Sequence, residues 1–399
     1  MAEKTADKKA EQIKRVILED DLILIGDALV GFENYDFAKD VKERLCALGL
    51  SANELGKRCL VTHTIIGKWC SGAAKPHGKE RMKELGMALA MNENDLNAFL
   101  FANCYPRLYA KSPLDNACKL VLRTMSGQQN IVQIYREFID QYGLGSYTPS
   151  PGRLDIATTL MSRNFNAVAN KTDFEKWLTD EAMHFGASAK AQMANTKLIR
   201  FIHLYIGSST IYELYSVGEL PAPIKSLLYP LVADREFAVR GLREKLIAFG
   251  LYYNMTEEEM DLMLGYANLR LFTEPRTLLE HAMLTALRCA HERYPYFELS
   301  GIQRMVEYMR GAIEQAADES EEARLREQAT LYNEQLQNAS VRVSYFDEHK
   351  NETDRLFEQQ YTDYADRRIM DYMRDVLVFL AEDGILTGNE TSNMLEVLR

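Results

Sequence analysis

The chain has 399 residues, 47% of them hydrophobic, and a net charge of −11. That length and apolar content give room for two or three domains with real cores and exclude an intrinsically disordered chain. The acidic total excludes a protein that coats nucleic acid with its whole surface, and no run approaches the roughly 18 apolar residues of a membrane span.

The charge is unevenly spread. Residues 37–111 carry 12 Lys+Arg against 7 Asp+Glu, a net of +5, which leaves −16 for the rest. A basic module on an acidic body fits local contact with DNA by the module while the body stays off it. The N-terminal MAEKTADKKAEQIKR is charged rather than apolar, so it does not read as a signal peptide, and a cytoplasmic protein is expected. The six cysteines, Cys46, Cys59, Cys70, Cys104, Cys118 and Cys289, form no CxxC pair and no zinc-like spacing with histidine. They are expected to be buried, reduced thiols.

Taken in order, residues 1–15 are expected to be a frayed, charged lead. Ile13, Val16, Ile17, Leu22, Leu24, Ile25 and Leu29 then predict one or two helices that pack on the later body or on a second copy. From Phe37 to Leu48, Val41, Leu45 and Leu48 share one helical face. Ser51 is an N-cap with Glu54 at capping-box spacing, and Leu55 and Cys59 give the short helix behind it a buried stripe. Only Leu60-Val61-Thr62 separates it from the next helix. There Ile66 and Trp69 face inward, and His63, Thr64, Gly67 and Lys68 face outward. Gly72 and Pro76 end it. Two short helices joined by a three-residue turn, the second with a polar outer face, make a helix-turn-helix. Arg81–Ala90 predicts a fourth helix, and Asn92 with Asp95 starts a fifth.

The stretch from Leu50 to Leu100 resembles the Xre/Cro-type helix-turn-helix of phage and bacterial repressors. The matching residues are Leu55, Val61-Thr62, Ile66, Lys68-Trp69, Gly72, Lys75-Pro76, Leu85, Ala88, Leu89, Leu96 and Leu100. Leu60 stands where the family usually has a glycine of positive φ, Cys70 replaces a common glutamate, and Gly67 occupies a usual base-reading position. The resemblance implies that the second helix enters the major groove N-terminus first, with His63, Thr64 and Lys68 at base edges and Ile65 near a thymine methyl. It places Ser51, Thr62, Ser71 and Lys75 at phosphates. It also implies double-stranded DNA as partner, a palindromic operator and a homodimer reading two half-sites.

Further helices are expected at Asn116–Thr124 and Asn130–Tyr142. The stretch 143–152, GLGSYTPSPG, is the clearest domain break. The expected organisation is an N-terminal helical extension (1–36), the helix-turn-helix domain with its following helices (37–142) and an α-helical body (153–399). Helices are predicted near 153–169, 172–186, 188–215, 224–249, 256–268, 275–292, 298–317, 320–340, 350–383 and 388–399. No alternating pattern interrupts them, so the class is all-α. Residues 91–113 resemble 254–275: each has a polar cap, an apolar helix, a small-residue turn, then Arg107-Leu108-Tyr109 or Arg270-Leu271-Phe272, and a proline.

No enzyme motif stands out. Gly72–Lys79 has the wrong spacing for a phosphate loop. His281 and His291 lack a carboxylate at metal-ligand spacing, and Glu257-Glu258-Glu259 suits a helix start. No catalytic residue, metal or cofactor is expected. The architecture also broadly resembles pheromone-sensing regulators, which implies a peptide, small-molecule or protein effector on the body. Tyrosines such as Tyr205, Tyr212, Tyr215, Tyr252 and Tyr253 read as core or as the lining of such a groove. The leading reading is a sequence-specific transcriptional regulator. Its rival is a degenerate helix-turn-helix serving as a protein-interaction platform, favoured by Leu60, Gly67 and the acidic total, whereas Lys57, Arg58, Lys68, Lys75 and Lys79 favour DNA.

Overall fold

Every regular element among the described residues is a helix, and none of these helices is long and apolar enough to cross a membrane. The computed structural model describes residues 2–109, 112–144, 163–180, 196–206, 222, 224–227, 241–316, 318–362 and 369–398. The first nine helices are α1 (Ala2–Ile17), α2 (Glu19–Leu29), α3 (Phe37–Ala47), α4 (Ala52–Cys59), α5 (His63–Cys70), α6 (Lys79–Ala88), α7 (Glu93–Ala102), α8 (Pro113–Met125) and α9 (Ile131–Gln141). Later helices are named by their residues.

The charged lead is helical rather than frayed. Ala, Lys, Glu and Gln are strong helix formers, and Lys14 and Arg15 suit the C-terminal dipole. Tertiary contacts hold its end: Ile17 and Leu18 are buried, and Lys14 pairs with Asp375 at 3.0 Å.

Two apolar cores organise the molecule. The first joins Phe37, Val41, Leu55, Ile66 and Trp69 to side chains of α6–α9. It also takes in Phe165, Phe174 and Trp177, which lie beyond the Gly/Pro-rich stretch. The ring centroids of Phe138 and Phe174 are 5.0 Å apart, and those of Phe165 and Trp177 4.9 Å. The second core joins Ile25 and Leu29 of α2 to the body helices Leu242–Tyr252, Leu278–Arg293 and Ile369–Glu382. Body boundaries differ from expectation where tertiary signals act. Of the helix expected at 224–249, residues 224–227 are helical, 228–240 lie outside the described residues, and Gly241 at φ 66° sets off a separate helix, Leu242–Tyr252. The one expected at 320–340 continues to His349. The start of the helix expected at 153–169 lies outside the described residues.

The similarity between 91–113 and 254–275 extends into a repeated backbone frame displaced by 164 residues. Ala90 and Asn254 both take positive φ, 54° and 56°. Met91 N–H donates to Gly86 O (3.0 Å) as Met255 N–H does to Gly250 O (2.9 Å). A side-chain oxygen caps the next helix in both, from Asn92 to Asp95 N and from Thr256 to Glu259 N. The pattern recurs at the far end, where Leu108 N–H donates to Asn97 and Phe272 N–H to Asp261. This register pairs Leu108 with Phe272, so the Arg-Leu-aromatic match is out by one residue and the two arginines are not equivalent. The unit reaches back to the helix before the cap. Lys79 Nζ donates to Arg107 O at 3.0 Å, and Arg243 Nη2 to Leu271 O at 3.0 Å.

Candidate nucleic-acid interface

The local sequence explains why α4 and α5 meet so tightly. Leu60 closes α4 in the left-handed region, φ 55° and ψ 42°, and the Val61 N–H turns back to Gly56 O at 2.9 Å. A branched residue is unfavourable there by about 1–2 kcal/mol relative to glycine. Gly56 is required by contact, because a Cβ would sit 2.9 Å from Val61 O. Beneath the turn, Leu55, Cys59, Ile66 and Trp69 are buried in the first core, where α4 packs on α6 and α9 and α5 on α3 and α4. Burial pushes the Cys59 thiol up to about 12.

The opposite face of α5 is open. Thr62, His63, Thr64, Ile65, Gly67 and Lys68 are all exposed, Ile65 at 38%. Thr62 makes no side-chain cap and its carbonyl accepts from the Ile65 and Ile66 N–H groups, so the open donors of the first turn are those of His63 and Thr64. Lys68 is exposed and has no carboxylate partner among the described residues. A helix start with unclaimed donors, followed one turn later by a cation, suits an anion and a hydrogen-bonding edge side by side.

The other expected contacts are engaged elsewhere. Ser51 is exposed, but its N–H and hydroxyl both donate to Glu54 Oε2, at 2.7 and 2.6 Å. These bonds hold the Glu54 carboxyl below its usual range, so an anion approaching Ser51 meets a carboxylate. Ser71 donates to Lys68 O at 3.2 Å. Lys75 pairs with Glu390 of the C-terminal helix Asn389–Val397 at 3.1 Å. Lys79 is drawn inward onto Asp115 at 2.6 Å, where the fully buried Lys83 also reaches, at 3.0 Å. Burial alone would raise the Asp115 carboxyl, but Lys79 and Lys83 pull it down to about 2. Sequence reasoning overlooked Lys42. It is exposed on α3 and near enough to Cys70, at the end of α5, to act on its thiol. Its place beside Val41, on the helix that packs against α5, was the available signal.

Cysteines and histidines vary in setting. Cys59, Cys118 and Cys289 are buried, whereas Cys46 is exposed and Cys70 and Cys104 are half-buried; all are free thiols. His281 stacks on Phe32 at 4.7 Å and bonds to Ala28 O at 3.1 Å. His291 has a buried Nε2 without a partner, and burial pushes its imidazole down to about 3. Among the described residues no three His, Cys, Asp or Glu side chains gather as a metal site.

The first and second cores meet through a buried ionic contact. Arg270, 1% exposed, donates to Ala102 O at the end of α7 at 3.0 Å and pairs with Glu280. Arg243 reaches the same Glu280 oxygen at 2.5 Å. No family model matches the sequence, and no curated protein or solved structure matches the chain.

Proposed function

We propose that the chain is a sequence-specific DNA-binding regulator that uses α5 as its reader. The observation that carries this reading is the open outer face of α5: His63, Thr64, Ile65 and Lys68 stand exposed on a helix whose underside is locked by Ile66 and Trp69. Lysine donates to guanine O6 or N7, histidine and threonine can donate or accept at base edges, and isoleucine can meet a thymine methyl. The Thr62 end of α5 supplies backbone N–H groups for a phosphate. Ser51, Ser71 and Lys75 take lesser parts, because each already has an internal partner. One helix of eight residues reads few base pairs, so two copies on paired half-sites are expected. The rival reading, a protein-interaction platform, has the strained Leu60 and the missing side chain at Gly67 in its favour.

The test is selection from a random duplex pool by the wild-type chain and by Lys68→Ala. An enriched palindrome that Lys68→Ala relaxes at one base pair, at a cost of about 1–3 kcal/mol, supports the reader assignment. Absence of enrichment together with negligible binding at low salt overturns it.

A further inference from the structure

The two ends of α5 differ in character, and only one of them invites a phosphate. The Thr62 end offers open N–H groups, whereas the Ser71 end carries the negative pole of the helix and repels an anion unless a cation stands beside it. A helix lying in the major groove is flanked by the phosphates of both strands, so the Ser71 end needs a positive group. The groups expected there are engaged: the Ser71 hydroxyl donates to Lys68 O, and Lys75 pairs with Glu390.

Lys42 reaches that end from another helix. α3 packs on α5, and Gly72, just past the end of α5, closes onto Ala38: a Cβ on Gly72 would lie 3.8 Å from Ala38 Cβ. Lys42 is one turn on from Ala38 along the same stripe of α3, which brings it beside Cys70. It is exposed and has no carboxylate partner among the described residues. The acids of α3 do not claim it. Asp40 is taken by Arg44 at 2.7 Å and by the Tyr35 hydroxyl at 3.1 Å, and Glu43, about 100° further round, points away from the buried Phe37, Ala38 and Val41. On α5, Gly67 precedes Cys70 by one turn on the same flank, and an added Cβ there would meet nothing within 4 Å.

We infer, on the reading of α5 given above, that Lys42 is a phosphate clamp: the DNA backbone passes over the bare Gly67 and is gripped by the Lys42 ammonium at the end of α5. Two helices, α3 and α5, then hold the duplex. Gly67 gains a purpose besides the loss of a base-reading side chain, because glycine lets a backbone and a ligand approach closely. Lys42 carries affinity and not sequence preference, since every base pair presents the same phosphates.

Salt titration of the full chain on a duplex that the wild type selects tests the clamp. One phosphate contact contributes about 0.9 to the slope of log affinity against log salt, so over a roughly fourfold rise in salt Lys42→Ala should lose about 3.5-fold less affinity per bound copy than the wild type. The loss of slope should be the same on every sequence, and Lys42→Arg should restore it. Lys9→Ala, an exposed charge removed from α1, should leave the slope unchanged. Gly67→Ala should weaken binding about tenfold while its thermal midpoint holds or rises, because glycine is the poorer helix former and the added methyl meets nothing. A wild-type slope in Lys42→Ala, or wild-type affinity in Gly67→Ala, overturns the clamp, and the reader still stands if Lys68→Ala relaxes one base pair. A wild type that neither selects a sequence nor binds at low salt overturns the reader and the clamp together.

Discussion

The two repeated units, one from Gly78 to Met125 and one from Gly241 to Arg293, share a backbone frame and differ in what their charges hold. In the first, Lys79 and Lys83 both come from α6 and close on Asp115 within the unit. In the second, Arg243 closes on Glu280, but the second cation, Arg270, comes from the turn and also grips Ala102 O in the first unit. The compact ammonium of Lys79 gathers its two acceptors, Arg107 O and Asp115, around one point within the unit, whereas the wider guanidinium fork of Arg270 spans acceptors in both units. The same frame thus makes a self-contained base for the helix-turn-helix in one place and a clasp onto that base in the other. The caps differ likewise. Asp95 is exposed, but its counterpart Glu259 is fully buried, with Gly301 of the helix Tyr296–Glu314 packed over it.

Breaking the clasp should have the largest effect. Arg270→Ala leaves Glu280 half-compensated in the interior and should cost about 3–5 kcal/mol in chemical denaturation. Arg107→Ala, the partner suggested by sequence alone, removes only an exposed guanidinium stacked on Phe101 and should cost under about 1 kcal/mol. Equal effects would mean that the two arginines are equivalent after all. The shared tight turn can be probed at its glycines. A Cβ on Gly86 would come within 2.4 Å of Leu96 Cδ1, and one on Gly250 within 2.4 Å of Met260 Cε. Each alanine variant should cost about 1–3 kcal/mol, the Gly250→Ala variant less, because methionine yields more readily than leucine.

The buried cap gives the second unit a pH-sensitive group. Burial raises the Glu259 carboxyl to about 8 from a usual 4.5, offset in part by the bonds from Thr256 N–H and Tyr205 OH. The protonated form therefore favours the folded state. Its contribution is complete below about 4.5 and is lost as the pH rises through about 8. Glu259→Gln should flatten the fall of the thermal midpoint over this window, with its advantage over wild type growing toward pH 8. An identical pH profile in the variant would exclude Glu259 as the titrating group. The smallest effect is expected at the contact between Lys75 and the C-terminal helix. Glu390→Gln frees Lys75 for phosphate and should tighten DNA binding about two- to fivefold at low salt, the scale of an exposed ion pair. Unchanged or weaker binding would show that Lys75 does not meet DNA.

Much of the local structure was legible because it depends on neighbours within a turn or two. The capping box at Ser51 and the inward pair Ile66 and Trp69 follow from short-range spacing, and the αL position at Leu60 from the resemblance; the capping box at Thr256 was seen only as a polar cap. The exposed set on α5 was legible for the same reason. The fate of the flanking cations was not. Lys75 and Lys79 look alike in sequence, yet one pairs with Glu390, 315 residues away, and the other with Asp115. The one-residue slip between Arg107 and Arg270 was likewise hidden, because a composition match cannot see which N–H meets which side chain.

The sequence alone determined the all-α class, the tight turn between α4 and α5 and the outward face of α5, since helical period, caps and turn residues act locally. Only the tertiary structure decided which charges are spent inside, which core each helix joins and that Arg270 ties the two units together. Burial and long-range pairing arise when distant segments meet, and no local pattern records them.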